Sequence, residues 1–148
     1  MTDSPLITDE HIRLVEESWA LVLPIQDTAA ELFYGRLFEV APELKALFSS
    51  DMKEQGRKLM KMISVAVSGL RKLDSIVPAV QDLGRRHGGY GVKSEDYAVV
   101  GSSLIWTLQQ GLGEAFSPEV EKAWLSTYSI LSSTMIEAAE ESETAGAL

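Results

Sequence analysis

Apolar residues recur at spacings of three and four along nearly the whole chain, the period of helices that each bury one face. Ile12, Val15, Trp19 and Val22 form the first stripe, with Thr8 placed to cap its helix and Pro24 to stop it. A second helix is predicted over about 27–40, turning Leu32, Phe33, Leu37 and Phe38 inward. Ala41-Pro42-Glu43 opens a short helical turn, because proline suits a first helical position, and Leu44, Leu47 and Phe48 point from it into the core. After a break at Ser49-Ser50-Asp51, a long helix over about 52–70 carries Leu59, Ile63, Ala66, Val67 and Leu70 on one face. The next helical run, 75–87, ends in His87 and is followed at once by two glycines. Ser94 is placed to cap a further helix, with Tyr97, Val100, Leu104 and Leu108 inward and residues 111–113 ending it. Ser117-Pro118-Glu119 starts the last helix, which shows Val120, Trp124, Tyr128, Leu131 and Met135. No strand-like alternation, repeat or low-complexity block interrupts this pattern. The prediction is an all-α fold of about seven helices in a single domain over residues 1–148, with 1–6 and 140–148 expected to fray.

Composition narrows the function classes. The 148 residues suffice for one sizeable core, and 45% of them are hydrophobic, which argues against disorder. Thirteen basic against twenty-two acidic residues give a formal charge of −9. That charge opposes nucleic-acid binding, since phosphate is repelled. The absence of cysteine excludes disulfides, thiolate zinc sites and iron–sulfur clusters. No apolar run approaches the ~20 residues that span a bilayer, and Met1-Thr-Asp-Ser-Pro5 shows no secretion signal. A soluble, cytoplasmic protein is expected.

There are two histidines. His11 precedes the first buried position of its helix and is expected to face water. His87 ends a helix, so its direction is fixed while the glycines turn the backbone away. If the chain holds a transition metal, His87 is the side chain best able to supply a strong nitrogen ligand. A Ser/His/Asp site is not supported, because no nucleophile-elbow serine is present. HExxH is also absent, which leaves a zinc hydrolase unsupported.

The order of landmarks is specific. Phe33-Tyr34 lies in an aromatic-rich helix, and a proline-initiated turn ends in Leu47-Phe48. The long helix opens with Gln55-Gly-Arg-Lys-Leu59, His87 ends a helix, Tyr97 follows ten residues later, and Trp124 and Tyr128 lie in the last helix. Over roughly residues 6–138 this resembles the globin family, in particular single-domain bacterial hemoglobins and the heme domain of flavohemoglobins. The resemblance implies heme b (iron protoporphyrin IX) as cofactor, with His87 as the iron ligand and its other ring nitrogen hydrogen-bonded nearby. It places Phe48 against the porphyrin and Leu47, Leu83, Val92, Tyr97 and Val100 among the heme contacts. Tyr34 and Gln55 fall at the ligand side, where a phenol and an amide would donate to O2 while Leu59 limits water entry. Lys58 and Arg86 are placed to reach heme propionates. With His11 elsewhere, a second histidine ligand is not expected.

Two departures matter. Flavohemoglobins carry a glutamate in the last helix that hydrogen-bonds the iron-ligating histidine; counted from Tyr128, that position is Ala139, with Glu137 and Glu140 pointing about 200° and 100° away. Weaker O–O activation, and hence reversible oxygen binding, is the expectation. No Gly-rich dinucleotide motif or flavin domain is present either, since Gly88-Gly89-Tyr90-Gly91 follows no strand. The resemblance therefore leaves several functions open. One is reversible binding of O2, with NO and CO as further ligands. Another is nitric oxide dioxygenation with a separate reductase. A third is gas sensing, or an interaction role for a helical module that has lost heme. Trp106 and the apolar residues of the late helices serve either a dimer or only the core, so oligomeric state is not readable.

Overall fold

Thr8 starts the first helix as its position requires: its Oγ1 accepts a hydrogen bond from the His11 amide at 3.1 Å, satisfying one of the unpaired donors of the first turn. In the computed structural model the chain is described over residues 7–48, 51–89, 93 and 95–147, with backbone alone for 88–89 and 141–147. Among these residues the order is α1 (Asp9–Val22), α2 (Gln26–Val40), α3 (Met52–Ser68), α4 (Leu73–Gly89), α5 (Asp96–Leu112) and α6 (Pro118–Ala147). Short 3-10 turns at Leu23–Ile25, Pro42–Leu47, Leu70–Lys72 and Gly113–Ala115 join them, and no strand is present among the described residues.

The expected seventh helix is the 3-10 turn Pro42–Leu47. Six residues, the first of them a proline, give too short a run to offset the cost of nucleating an α-helix. The long helix stops at Ser68, two residues before the expected end, where the Gly69 amide bonds the Val65 and Ala66 carbonyls at 3.1 and 3.2 Å. Ser117 caps α6 as anticipated, its Oγ accepting from the Val120 amide at 3.2 Å. The expected cap Ser94 and heme contact Val92 lie outside the described residues.

The core is built around two indoles. Trp19 on α1 and Trp124 on α6 lie 5.9 Å apart between ring centroids, and both are buried. Each finds an acceptor for its N–H: Trp19 donates to Ser64 Oγ at 2.9 Å and Trp124 to Ser18 Oγ at 2.8 Å. These bonds tie α1 to α3 and α6 to α1 without leaving a buried donor unpaired. Around them Val15, Leu37, Leu70 and Leu108 are essentially sealed from solvent, and truncating any of the leucines to alanine would cost on the order of 2–5 kcal/mol.

Two close crossings fix the helices that bear the candidate site. At Gly56 on α3 a Cβ would sit 2.9 Å from the Ala30 Cβ of α2, so only glycine permits this approach. At Gly84 on α4 a Cβ would run into the backbone of Met135 on α6, 2.5 Å from its Cα and 2.7 Å from its carbonyl carbon. Accordingly α4, the helix of His87, is seated directly on the α6 backbone.

Candidate functional site

His87 lies in the last turn of α4, half-buried. Its Nδ1 is 2.8 Å from the Leu83 carbonyl oxygen, one turn back in the same helix. A carbonyl only accepts, so Nδ1 carries the proton and donates, and the ring's basic lone pair is on Nε2. Burial pushes the imidazole below its usual pKa; the Leu83 bond opposes this, and the neighbouring Arg86 charge adds to it. A neutral ring in a fixed tautomer is the form that ligates a metal. Leu83 thus holds the ring through its backbone carbonyl, and its side chain is half-buried.

Tyr34 on α2 is buried, 8% exposed, inside a group of rings. Its ring stacks on Phe38 at 5.8 Å and meets Phe33 and Phe48 edge-on at 5.0 and 5.3 Å. Phe38 and Phe48 are themselves 5.5 Å apart. Phe48 is delivered by the Pro42–Leu47 turn, its amide bonded to the Lys45 carbonyl at 3.2 Å. Burial alone pushes the Tyr34 phenol up to about 12, so it stays a protonated donor across the physiological range. The structure thus unites Tyr34 with Phe48 and adds Phe38, which the pattern marked as inward without placing it beside them.

On α3, Gln55 and Leu59 are half-buried and Lys58 is exposed. The helix is anchored at its start by Asp51, whose Oδ1 accepts from the Glu54 amide at 3.1 Å. The Gly56–Ala30 crossing sets α3 against α2 one residue after Gln55 and one turn before Tyr34. Leu47 is half-buried and packs on the core. Arg86 is exposed and paired along its own helix with Asp82 at 3.2 Å.

Tyr97 on α5 is buried and its hydroxyl has no hydrogen-bond partner among the described residues. Its backbone is held from α6: the Tyr128 hydroxyl donates to the Tyr97 carbonyl at 2.6 Å. The Tyr128 ring lies on Gly101, where a Cβ would come 2.6 Å from Cε2. Burial raises the pKa of both phenols. Val100 is half-buried beside this pair in sequence. The Tyr128 contact spans 31 residues and has no sequence signature. On α6, Ala138 is buried, Ala139 half-buried, and Glu137 and Glu140 are exposed.

His11 departs from expectation. It is half-buried, and its Nδ1 is buried without a partner among the described residues. The cause is its place on α1 between Ile7 and Ile12, which are both buried and draw the first turn against the core.

The chain is similar to known proteins over most of its length. The family model described as Globin matches residues 31–135. A neuroglobin of Tetraodon nigroviridis is 34% identical over 136 residues, covering 82% of this chain and 86% of its own length. A flavohemoprotein of Vibrio cholerae is 28% identical over 135 residues; the match covers 89% of this chain and 34% of that protein. Among solved structures, a bacterial globin from Campylobacter jejuni superposes with a TM-score of 0.83 at 23% identity, covering 93% of this chain and 99% of that one.

Proposed function

The chain belongs to the globin family, and from that premise we propose that it holds heme b through His87 and uses it to bind oxygen reversibly. When bound, the heme supplies an iron that takes a diatomic gas as ligand. The residues fit such a group. The observation that carries the reading is the 2.8 Å bond from His87 Nδ1 to the Leu83 carbonyl, which supports Nε2 as the nitrogen with the basic lone pair for a metal. Tyr97 brings a buried hydroxyl with no described partner to the helix that follows His87, and Phe48 brings a flat apolar ring.

The chain's own groups then have distinct tasks. His87 ligates, and Leu83 orients it. Leu47, Phe48 and Val100 give the porphyrin apolar contact and exclude water, and Val92 belongs with them by sequence. Lys58 and Arg86 offer charge to the two propionates, Arg86 at the expense of its Asp82 pair. Tyr34 and Gln55 donate hydrogen bonds to the gas ligand, each worth ~1–2 kcal/mol to a partly charged acceptor. Leu59 shields that side from water.

The likeness to a flavohemoprotein favours a second reading. In it the same residues support oxidation of nitric oxide, where nitric oxide, oxygen and one electron give nitrate and a reductase supplies the electron. Titration of heme into the purified protein, then cycles of oxygen and vacuum, tests the first reading. The expected result is a Soret band saturating at one heme per chain and a spectrum that shifts reversibly with oxygen. Absence of a Soret band, or immediate conversion to the ferric form in air, would overturn it. Catalytic consumption of nitric oxide beyond one equivalent, with a reductase present, would select the second reading.

A further inference from the structure

Helix α4 is held near each end by a close approach at a glycine. Near its start the Ile76 side chain covers Gly69, where a Cβ would run into Cγ2 and come 3.2 Å from Cδ1. Near its end Gly84 rests on the backbone of Met135 in α6, whose Cα and carbonyl carbon would be 2.5 and 2.7 Å from an added Cβ. Among the helices, α6 is the main support of α4. Between these two anchors stands Pro78, inside the helix and exposed. Its missing amide leaves the Asp74 carbonyl without a helical donor, so α4 bends most easily there.

His87 belongs to the segment beyond this weak point. The carbonyl that orients its ring, with the Leu83 oxygen 2.8 Å from Nδ1, is part of the peptide unit that ends at the Gly84 Cα. A peptide unit is planar and stiff. The atom seated on α6 and the oxygen bonded to His87 therefore move together, and the ring follows the seat. Counting 1.5 Å per residue, Gly84 is about 9 Å and His87 about 13.5 Å beyond Pro78. A displacement of ~1 Å at Gly84 becomes ~1.5 Å at His87. Bonds to a metal tolerate only about 0.2 Å. The contact is backbone on backbone and needs no polar side chain; Ala139, one turn beyond Met135, offers none.

We propose that Gly84 is the positioning residue for the iron ligand: its seat on the Met135 backbone sets where His87 Nε2 meets the heme iron. This rests on the heme reading above and extends it by giving α6 control of that bond. The coupling is reciprocal, so a change in the pull on His87 loads the Met135 contact in turn.

The test uses heme-loaded wild type, Gly84→Ala and Ser18→Ala. The serine variant is the control, because it loses stability at the Trp124 bond between α1 and α6, without touching α4. Resonance Raman spectra of the deoxygenated ferrous form read the iron–histidine stretch, and transfer to excess serum albumin reads heme retention. In Gly84→Ala the stretch should move to lower frequency and heme transfer should be about tenfold faster. In Ser18→Ala the stretch should stay at the wild-type frequency. Hydrogen exchange in wild type supplies a second measurement. The Ala139 amide, which an α-helix pairs with the Met135 carbonyl, should exchange at rates differing by about twofold or more between ferrous and carbon monoxide-bound protein.

An unmoved stretch in Gly84→Ala, with stability lowered, would make the glycine a packing residue only; that overturns this proposal and leaves the heme reading standing. An equal shift in Ser18→Ala would assign the effect to general loosening and overturn it as well. Absence of an iron–histidine stretch in wild type overturns the heme reading and this proposal together. Should Gly84→Ala fail to fold, exchange in wild type decides: an Ala139 amide indifferent to ligation overturns the proposal.

Discussion

Gly84→Ala should destabilise the protein, although an alanine inside a helix ordinarily helps. The added Cβ would sit 2.5 Å from Met135 Cα and 2.7 Å from its carbonyl carbon. Non-bonded carbons prefer about 3.5–4.0 Å, so α4 and α6 must part by roughly 1 Å. The obstacle is backbone, which cannot turn aside as a side-chain tip can. Overpacking of this kind costs about 1–3 kcal/mol, against a gain of about 0.5–1 kcal/mol from replacing a helical glycine. The net loss is therefore roughly 1–2 kcal/mol, or a fall of about 3–6 °C in Tm for a chain of this size. Gly35 provides the control: it lies within α2 and nothing approaches its Cβ position within 4 Å. Gly35→Ala should gain about 0.5–1 kcal/mol. Urea unfolding followed by far-UV circular dichroism measures both. Changes of the same sign in the two variants, or an undiminished Gly84→Ala, would refute the packing argument.

Other consequences follow from the same geometry. Tyr34→Phe should speed oxygen dissociation about 5- to 30-fold, the equivalent of ~1–2 kcal/mol, and carbon monoxide dissociation much less; flash photolysis and ligand replacement compare them, and equal effects would assign the residue a steric role. The same variant should resist alkali better. Burial raises the Tyr34 phenol from 10.0 to about 12, so its contribution is complete below pH 10 and is lost as pH rises through about 12. Allowing for residual solvent screening, wild type should lose about 2 kcal/mol more than Tyr34→Phe across that window in pH-dependent urea titrations. Ser18→Ala should cost about 1–3 kcal/mol, because Trp124 is 2% exposed and its N–H, now bonded at 2.8 Å, would be left without its acceptor; a loss below 0.5 kcal/mol in denaturant would show that another group replaces the serine.

Local signals carried several helix starts but not the end of α4, which runs on through Gly88 and Gly89 where the glycines were expected to turn the backbone away. Thr8 and Ser117 each cap a helix through a side-chain oxygen, as their positions before apolar runs required. The alternation of three and four selected Trp19, Leu37, Leu108 and Trp124 for the core, and all are buried. Tertiary approach was not legible. Nothing in the sequence marks Gly56, Gly69 and Gly84 as the places where another element comes too close for a side chain. The grouping of Phe38 with Tyr34 and Phe48 depends on how the Pro42–Leu47 turn returns the chain, which periodicity does not encode. His11 was expected to face water because it precedes the first buried position of its helix, but the burial of Ile7 and Ile12 draws it halfway in. The roles of Tyr34, Gln55 and His87 came from the order of landmarks matched to a family; a lone histidine at a helix end does not by itself specify heme. What the structure adds to His87 is the Leu83 carbonyl at 2.8 Å, a bond that follows from placing the ring in the last turn of a helix.

Ligation of heme iron by His87 is tested most directly by His87→Gly, with imidazole added back. Wild-type protein should take up one heme per chain and give a ferrous spectrum with a histidine ligand. The variant should lose tight heme retention, and millimolar imidazole should restore the wild-type ferrous spectrum by filling the vacated position. An unchanged spectrum and undiminished heme retention in His87→Gly, without imidazole, would contradict the account.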